Sequence, residues 1–307
     1  MIAVTPHTRR GCSRLATVVF VLMLGWMVAA CGGSAAGSSS ASSANDSAPG
    51  PVQVLYAGSL VRLMERRVGP AFNKATGITF SGYGGGSTQL ANEIKGRVRT
   101  GDVFISASPQ VDDMLKGPAN GAWVSWVADF ATAPLVVGFE PSSRFAAALN
   151  TASWERVVTR SGFLVGRTDP VLDPKGRLTV EAIQQAAQGT HDPALLALEE
   201  RHDTVFPEET LLGRLEAGQL DAGFFYANEA KEAGLATAAL TPVSLSATYT
   251  LTVLEHAPHR AAAVSFVSYL LGPLGRRLLA ADGLHIATPP HVTGTGVPMT
   301  LDSVLGR

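Results

Sequence analysis

Two serines stand at turns where a strand gives way to a helix, and both could bind an anion. Ser59 follows Ala57 and Gly58 at the end of an apolar run, and Ser87 follows three glycines. The first turn of a helix presents unpaired N–H groups and a partial positive charge, and a serine hydroxyl adds a donor. At the carboxyl ends of neighbouring parallel strands, the two turns would face one crevice. The alternative is that each serine only caps its helix, which is the usual role of serine there.

Three further polar residues lie at the ends of predicted elements. Asp173 precedes a proline at the start of a helical pattern, Glu208 follows a proline at the start of another, and Tyr226 ends a short apolar strand. Acidic residues at a helix start usually cap the helix or complement its dipole, and a tyrosine ending a strand usually packs. Spacing alone therefore assigns these three residues no function.

Enzymatic and cofactor chemistry is disfavoured by the residues around the serines. No Gly-x-Ser-x-Gly elbow surrounds Ser59 or Ser87, and the histidines are few and scattered, which disfavours an exported serine hydrolase. His256 and His259 lack an obvious third zinc ligand, so surface positions are favoured for both. The glycine run before Ser87 lacks the third glycine of a dinucleotide-binding turn. We therefore predict a protein that is not an enzyme and that needs no cofactor.

The elements that would position these residues alternate between strand and helix patterns. Helical spacing follows Ser59 and Ser87 and recurs after Asp173 and Glu208, and two more helices are predicted near the end, over 261–271 and from 273 to 281. Strands are predicted at 52–56, 78–83, 103–105, 135–139, 162–165, 222–226 and 249–254. Such alternation predicts an α/β fold of mixed, mostly parallel sheets flanked by helices.

Length and charge limit the class of protein. The chain has 307 residues and a formal net charge of −1. Removing the three arginines near the start leaves 21 basic against 25 acidic residues, a net charge of about −4. This balance argues against nucleic-acid binding and against a polybasic membrane patch. The length after the first fifty residues suits one large or two smaller domains, and we favour two lobes.

The first fifty residues read as an export signal followed by a tether. Arginines precede an apolar run from 15 to 30, which ends in small residues before Cys31 and resembles the lipobox of bacterial lipoproteins. The run is shorter than the roughly 20 residues of a spanning helix, so a transmembrane anchor is the weaker alternative. We predict a signal peptide over 1–30, lipidation of Cys31 and a flexible tether over 31–50. The other cysteine, Cys12, lies in the signal, so the mature globular part has no disulfide.

Several segments together are similar to a known family. They are 54–60, the turn at Asp173, the strand region 218–226, and 249–252 followed by 257–260. With Gly85-Gly86-Ser87 and Glu208, they resemble the substrate-binding proteins of molybdate/tungstate ABC importers, in the subgroup that surrounds the oxyanion with extra carboxylates. The likeness covers most of residues 52–285.

The resemblance implies a role for each of the singled-out residues. Ser59 and Ser87 would hydrogen-bond the anion together with backbone N–H groups of their turns, and Tyr226 would add a hydroxyl. Asp173 and Glu208 would complete the coordination of the metal with carboxylate oxygens, and no other metal site is implied. Such carboxylates would repel sulfate and phosphate, whose central atoms cannot accept further oxygen ligands in this way.

The resemblance also implies a fold and a set of partners. The fold would be the two-lobed type II fold of periplasmic binding proteins, with lobe 1 over 51–133 and 249–307 and lobe 2 over 134–248. Two hinge crossings would lie near 133–134 and 246–249, and closure would trap the anion. The partners would be molybdate or tungstate, an ABC permease with its ATPase, and the outer face of the cytoplasmic membrane, through the lipid on Cys31. A monomer is expected.

Some alternatives stay open. Lys175 stands where a cysteine is expected in the close relatives; it either adds positive charge near the anion or is a solvated surface lysine, which is commoner. The segment from Lys175 to Glu208 is shorter than in those relatives, so Glu209 competes for the role of Glu208, and spacing back from Tyr226 favours Glu208. The same fold could bind sulfate, a ferric ion or an organic solute, or serve in sensing.

Overall fold

The computed structural model of the protein describes residues 50–307. The predicted signal peptide over 1–30, the lipid attachment at Cys31 and the tether up to residue 49 lie outside the described residues, so these three remain predictions. Within residues 50–307, no helix is both long and apolar enough to cross a membrane.

Strands form the central sheet, and several lie where the sequence predicts them. Between residues 50 and 307 they are β1 (Val52–Ala57), β2 (Phe80–Gly85), β3 (Val103–Ser106), β4 (Trp126–Phe139), β5 (Val165–Thr168), β6 (Val205–Phe206), β7 (Ala222–Tyr226), β8 (Ala236–Ala239), β9 (Ser246–Val253) and β10 (His285–Gly294). The strand predicted at 162–165 instead runs over Val165–Thr168, and the strands at 205–206, 236–239 and 285–294 were not predicted. β2 includes two of the glycines that the sequence assigned to a turn. Only Gly86 remains between β2 and the helix that follows.

Helices connect and cover the strands. The α-helices are α1 (Val61–Leu63), α2 (Gly69–Thr76), α3 (Ser87–Lys95), α4 (Pro109–Asp113), α5 (Ala146–Thr151), α6 (Trp154–Val158), α7 (Pro174–Thr190), α8 (Pro193–Leu196), α9 (Glu208–Glu216), α10 (Ala227–Glu232), α11 (Arg260–Leu271), α12 (Pro273–Asp282) and α13 (Asp302–Leu305). Short 3₁₀ turns span Gly58–Leu60, Pro118–Asn120 and Met299–Leu301, and Met64–Val68 forms a π-helical turn. α2 ends at Gly77, whose φ of 74° is the left-handed conformation that glycine adopts most easily.

The strands form one mixed sheet with the order β2-β1-β3-β9-β4-β7-β5-β6, and β8 and β10 also pair with β4. β1 is parallel to β2 and β3, and β5 is parallel to β6 and β7. All pairings of β4, with β7, β8, β9 and β10, are antiparallel. The predicted helix-flanked α/β class is confirmed, although the sheet contains more antiparallel pairing than the sequence predicts.

β4 lies in the middle of this sheet and pairs with a different set of strands along each half of its length. Residues 128–134 pair with β9, and residues 135–139 pair with β7 and β8. The sequence predicted only the second half of this strand. The first half contains an irregularity between Asp129 and Ala131, which interrupts the regular alternation of a strand.

Apolar clusters cover both faces of several strands, and for this reason the sequences of those strands are nearly continuous apolar runs. Val54 and Tyr56 of β1 belong to the largest apolar cluster, whereas Leu55 between them belongs to a second cluster with α3. Phe224 and Phe225 of β7 divide in the same way between the largest cluster and a third one. Both faces of these strands are therefore covered, as expected for the parallel part of an α/β sheet.

Candidate functional site

The turns after β1 and β2 lie side by side. β1 and β2 are parallel and in register up to the pair Ala57 and Gly85, so their carboxyl ends meet at one edge of the sheet. Ser59 and Ser87 follow these ends within two residues, and both are buried. The sequence prediction that the two serine turns share one region is consistent with this placement.

Neither serine caps a helix. The residue at the N-cap of α3 is Gly86, and the first 3₁₀ turn begins after Ala57, with no side-chain cap bond at either place. Ser59 Oγ lies 2.8 Å from the hydroxyl of Tyr249. Ser87 Oγ accepts the backbone N–H of Ala107 at 3.1 Å, and its own O–H stays available for donation. The interpretation of these serines as simple caps is therefore wrong.

Asp173 is at the N-cap position of α7, but its carboxylate caps nothing. The side chain is buried, and Oδ2 has no hydrogen-bond partner in the part of the chain that the structure describes. Burial raises the pKa of Asp173 well above its usual range, and the negative charge of Glu208 raises it further. A buried polar atom without a partner is costly, which marks this carboxyl group as a candidate for binding.

Glu208 is the first residue of α9 and is buried, whereas its neighbour Glu209 is exposed. The Glu208 side chain packs against the turn after β1. It lies so close to Gly58 that a methyl group added there would overlap Cγ of Glu208. Of the two glutamates that the sequence left open, the structure brings Glu208 into the group that contains Asp173 and Ser59.

Lys175 is fully buried, so the interpretation of this residue as a solvated surface lysine is wrong. Its Nζ lies 2.8 Å from Oε2 of Glu229, and 3.0 Å and 2.9 Å from Oε1 and Oε2 of Glu208. Only the Oε1 contact with Glu208 has hydrogen-bond geometry. The two carboxylates raise the pKa of Lys175 despite its burial, so the ammonium form is the one in place.

Glu229 is the third acidic group of this cluster. Burial raises its pKa to about 7, although the Lys175 ammonium group opposes that shift. Asp173, Glu208 and Glu229 thus place three carboxyl groups around one ammonium group. Whenever two or more of the three are ionised, their negative charge exceeds the charge of the lysine, and a simple dianion is repelled here by Coulomb's law.

The rings of Tyr226 and Tyr249 pack against each other beside these charged side chains. Their centroids are 6.0 Å apart in an edge-to-face arrangement. The Tyr226 hydroxyl is buried and has no hydrogen-bond partner among residues 50–307. The Tyr249 hydroxyl is 2.8 Å from Ser59 Oγ and donates to Oδ1 of Asn228 at 3.4 Å. Burial raises the pKa of both tyrosines, so both remain neutral donors at neutral pH.

Glu208 lines two cavities, and the exposed Glu209 borders both of them as well. The first, of about 230 Å³, is also lined by Gly58, Ser59 and Glu229. The second, of about 320 Å³, is also lined by Gly86 and Asp173. Each of the two serine turns therefore borders one cavity that leads to Glu208.

Contacts across the group join residues before 134 to residues after it. The Gln89 N–H donates to the Leu172 carbonyl at 3.0 Å, and Arg177 Nη2 donates to Ser108 Oγ at 2.9 Å. Arg62 and Glu216 form an ion pair at the rim. The polar group is thus covered by contacts between the segments that the sequence assigns to different lobes.

All five sequence-predicted residues lie in this region, and two partners, Tyr249 and Glu229, were missed. Lys175 is in the buried position that the sequence left open as the alternative to a solvated surface lysine. Tyr249 stands within a segment that the family resemblance includes, which is a signal for its position but not for its contact with Ser59. Glu229 carries no comparable signal, because an acidic residue in the first turn of a helix is ordinary.

Hydrolytic chemistry finds no support in the contacts of the serines. Ser59 contacts a tyrosine hydroxyl and Ser87 a backbone amide, and neither bonds to a histidine within residues 50–307. His259 bonds to Asp102, and His256 packs on Trp123. The same described residues contain no group of three or more His, Cys, Asp or Glu arranged to hold a metal ion.

Comparison with protein families gives one match over most of the chain. The model of the family described as bacterial extracellular solute-binding protein matches residues 52–285. These are the same residues that the resemblance covers in the sequence.

Two relatives and one solved structure are similar to the chain. A Haloferax volcanii protein, whose name assigns it to molybdenum binding in an ABC transporter, is 34% identical over 210 residues, which cover 67% of this chain and 65% of that protein. This chain therefore spans just under two thirds of the length of that relative. The molybdate/tungstate-binding protein of Pyrococcus abyssi is 23% identical over 269 residues, with 71% and 77% covered. The periplasmic molybdate-binding protein of Azotobacter vinelandii has the same fold, with a TM-score of 0.60, 16% identity and coverage of 77% and 99%.

Proposed function

The chain belongs to the bacterial extracellular solute-binding protein family, and we propose that it binds molybdate or tungstate for an ABC importer. The family and the fold are those of transport binding proteins, so the ligand is bound and released unchanged. Fold alone does not select the ligand, because one fold serves many functions. The choice of oxyanion therefore depends on the side chains.

The observation that carries the proposal is the burial of Asp173 and Glu208 beside two hydroxyl-bearing turns. Serine hydroxyls and helix N-termini are suited to an oxyanion, whereas carboxylates are not. A Mo(VI) or W(VI) centre resolves this conflict, because a large hard cation accepts additional oxygen ligands. Sulfur and phosphorus cannot, so sulfate and phosphate would meet only the repulsion. The names of the relatives from Haloferax volcanii and Pyrococcus abyssi agree with this choice.

Each side chain takes a role that its chemistry permits. Ser59, Ser87 and Tyr226 donate hydrogen bonds to the oxygens of the anion, and Asp173 and Glu208 supply carboxylate oxygens to the metal. The unpartnered Oδ2 of Asp173 and hydroxyl of Tyr226 support these assignments. Coordination would also compensate the Asp173 carboxylate for the cost of burial.

Binding would close two lobes, 51–133 with 249–307 and 134–248, around the anion. The pairing of β4 with β9 before residue 135 and with β7 and β8 after it supports a crossing near Pro134. A second crossing would lie at the start of β9, near Ser246. The contacts of Gln89 with Leu172 and of Arg62 with Glu216 are those expected of a closed form.

Delivery to the importer completes the proposed function. A signal peptide over 1–30 would export the chain, and lipid on Cys31 would hold it at the outer face of the cytoplasmic membrane. The Gly/Ser-rich segment up to Gly50 would act as a tether, which raises the local concentration of the loaded protein near its permease and ATPase.

Titration of the purified full-length chain with molybdate, tungstate, sulfate and phosphate tests the proposal. We expect molybdate and tungstate to bind, and sulfate and phosphate to bind at least about a hundredfold more weakly, because only the first pair gains the carboxylate ligands. The double variant Asp173→Asn, Glu208→Gln should lose most of the molybdate affinity. Glu209→Gln, which changes an exposed neighbour, is the matched control and should bind as the wild type does. Equal affinity for sulfate, or a double variant with undiminished molybdate affinity, would overturn the assignment.

A further inference from the structure

Lys175 occupies an unusual position for a lysine. It lies in the first turn of α7, two residues after Asp173, and no part of it reaches solvent. A buried ammonium group is costly unless it is paired and hydrogen-bonded. Here it is paired twice, with Glu208 on α9 and with Glu229 on α10, at 3.0 Å and 2.8 Å.

The charged and titratable groups that face Lys175 come from every element around it. Asp173 at the start of α7, Glu208 on α9 and Glu229 on α10 are acidic, and Tyr226 at the end of β7 is a neutral hydroxyl-bearing neighbour. The ammonium group also lies above the Tyr226 ring, 5.8 Å from its centroid. Lys175 is thus the cation within a group that is otherwise acidic or neutral.

We infer that Lys175 and Glu229 form a charge-compensating pair for the oxyanion site, in which Lys175 orients Glu208 and offsets the negative charge of the bound dianion. Glu229 holds the ammonium group from α10 and is not itself a ligand. The inference rests on the proposed function, and it adds two positioning residues: Lys175, which contacts Glu208, and Glu229, which contacts Lys175.

The arrangement of oxygens around Nζ explains how one lysine can serve both purposes. Both carboxylate oxygens of Glu208 lie within 3.0 Å of Nζ, but only Oε1 has hydrogen-bond geometry. Glu208 can therefore offer Oε2 to a metal centre and keep its bond to Lys175 through Oε1. The contact with Glu229 keeps the ammonium group in place during this exchange.

A double-mutant cycle tests the pair. Lys175→Met keeps a side chain of similar length and removes the positive charge, and Glu229→Gln removes one negative charge. The combined variant has the same net charge as the wild type. Lys231→Met, which removes an exposed lysine from α10, is the matched control. Molybdate affinity of the purified full-length chain is measured by calorimetric titration at about pH 6 and about pH 8, on either side of the pKa of Glu229 near 7.

Charge compensation predicts a pattern across these variants. At about pH 8, Lys175→Met should weaken molybdate binding at least about tenfold, and Glu229→Gln should strengthen it several-fold. The combined variant should return to within about threefold of the wild type. At about pH 6 the effects of both single changes should shrink, because the proton that Glu229 takes up replaces the missing positive charge. The Lys231→Met control should match the wild type at both pH values.

Other patterns would overturn the inference. A folded Lys175→Met variant that binds molybdate within twofold of the wild type at about pH 8 shows that the lysine offsets no charge. A combined variant as weak as Lys175→Met shows that the lysine acts through packing. If Lys175→Met does not fold, Glu229→Gln decides, and unchanged affinity at about pH 8 refutes the pair. Failure of the wild type to prefer molybdate over sulfate is a separate result, which refutes the proposed function and this inference with it.

Discussion

Gly86 offers a direct test of the closed arrangement around Asp173. It is the N-cap residue of α3, with φ −56° and ψ 127°, a conformation that alanine adopts without strain. A methyl group there would lie 2.5 Å from the carbonyl oxygen of Leu172 and 3.3 Å from Cβ of Asp173. Gly86→Ala therefore tests the approach of the two segments and leaves the local backbone unaffected.

The magnitude follows from the distances. Real methyl groups need about 3.4 Å from such an oxygen, so the Leu172 backbone and the start of α3 must separate by about 0.9 Å. Overpacking of this kind typically costs 1–3 kcal/mol. If only the closed form bears this cost, molybdate affinity falls by about five- to 150-fold.

The assay is calorimetric titration with molybdate, combined with thermal unfolding of the unliganded chain. Gly189→Ala is the matched control, because Gly189 lies exposed near the end of α7 with open space around its Cα. This control should raise stability by about 0.5–1 kcal/mol and leave the affinity unchanged. A folded Gly86→Ala variant with the affinity of the wild type would refute the close approach of α3 to the Asp173 turn in the bound state.

Three further predictions follow from other contacts. Gly58→Ala should displace the Glu208 side chain and weaken molybdate binding by about tenfold or more in the same titration, and undiminished binding would contradict the packing of Glu208 on that turn. Burial raises the pKa of Asp112 from 3.8 to about 7, so its contribution to stability is full below about pH 4 and is lost as pH rises to about 7. Relative to Asp112→Asn, the wild type should lose up to about 4 kcal/mol of unfolding free energy over that range, and parallel pH profiles in urea denaturation would contradict this. Arg177→Ala removes a part-buried hydrogen bond from an exposed arginine to Ser108 and should change molybdate affinity by less than about threefold, whereas a larger loss would show that this contact controls closure.

Much of the fold could be predicted because its elements carry strong local signals. The run 52–56 is apolar except for Gln53 and has buried apolar residues on both faces, and Gly77 ends α2 where a left-handed residue is needed. The pairing of β4 could not be predicted in the same way. Its neighbours β7, β9 and β10 come from distant parts of the chain, and an irregularity near Asp129 obscures its first half.

The site shows a similar division. The serine turns were predictable, because glycine and serine at a strand end followed by helical spacing point to a helix N-terminus. The burial of Lys175 was not, because it depends on Glu208 and Glu229, which lie 33 and 54 residues further along the chain. Local composition at 173–176 is that of an ordinary surface turn. The family prediction is confirmed, whereas the roles of the five site residues stay predictions that the variants above test.

X-ray absorption at the molybdenum edge of the molybdate-loaded chain tests whether Asp173 and Glu208 bind the metal, because it counts the oxygens around it. We expect about six oxygen neighbours in the wild type, from the four oxygens of the anion and the carboxylates of Asp173 and Glu208. In the Asp173→Asn, Glu208→Gln variant, any residual bound molybdate should return to four. Four oxygens in the wild type, with the tetrahedral anion intact, would contradict the claim that the carboxylates bind the metal.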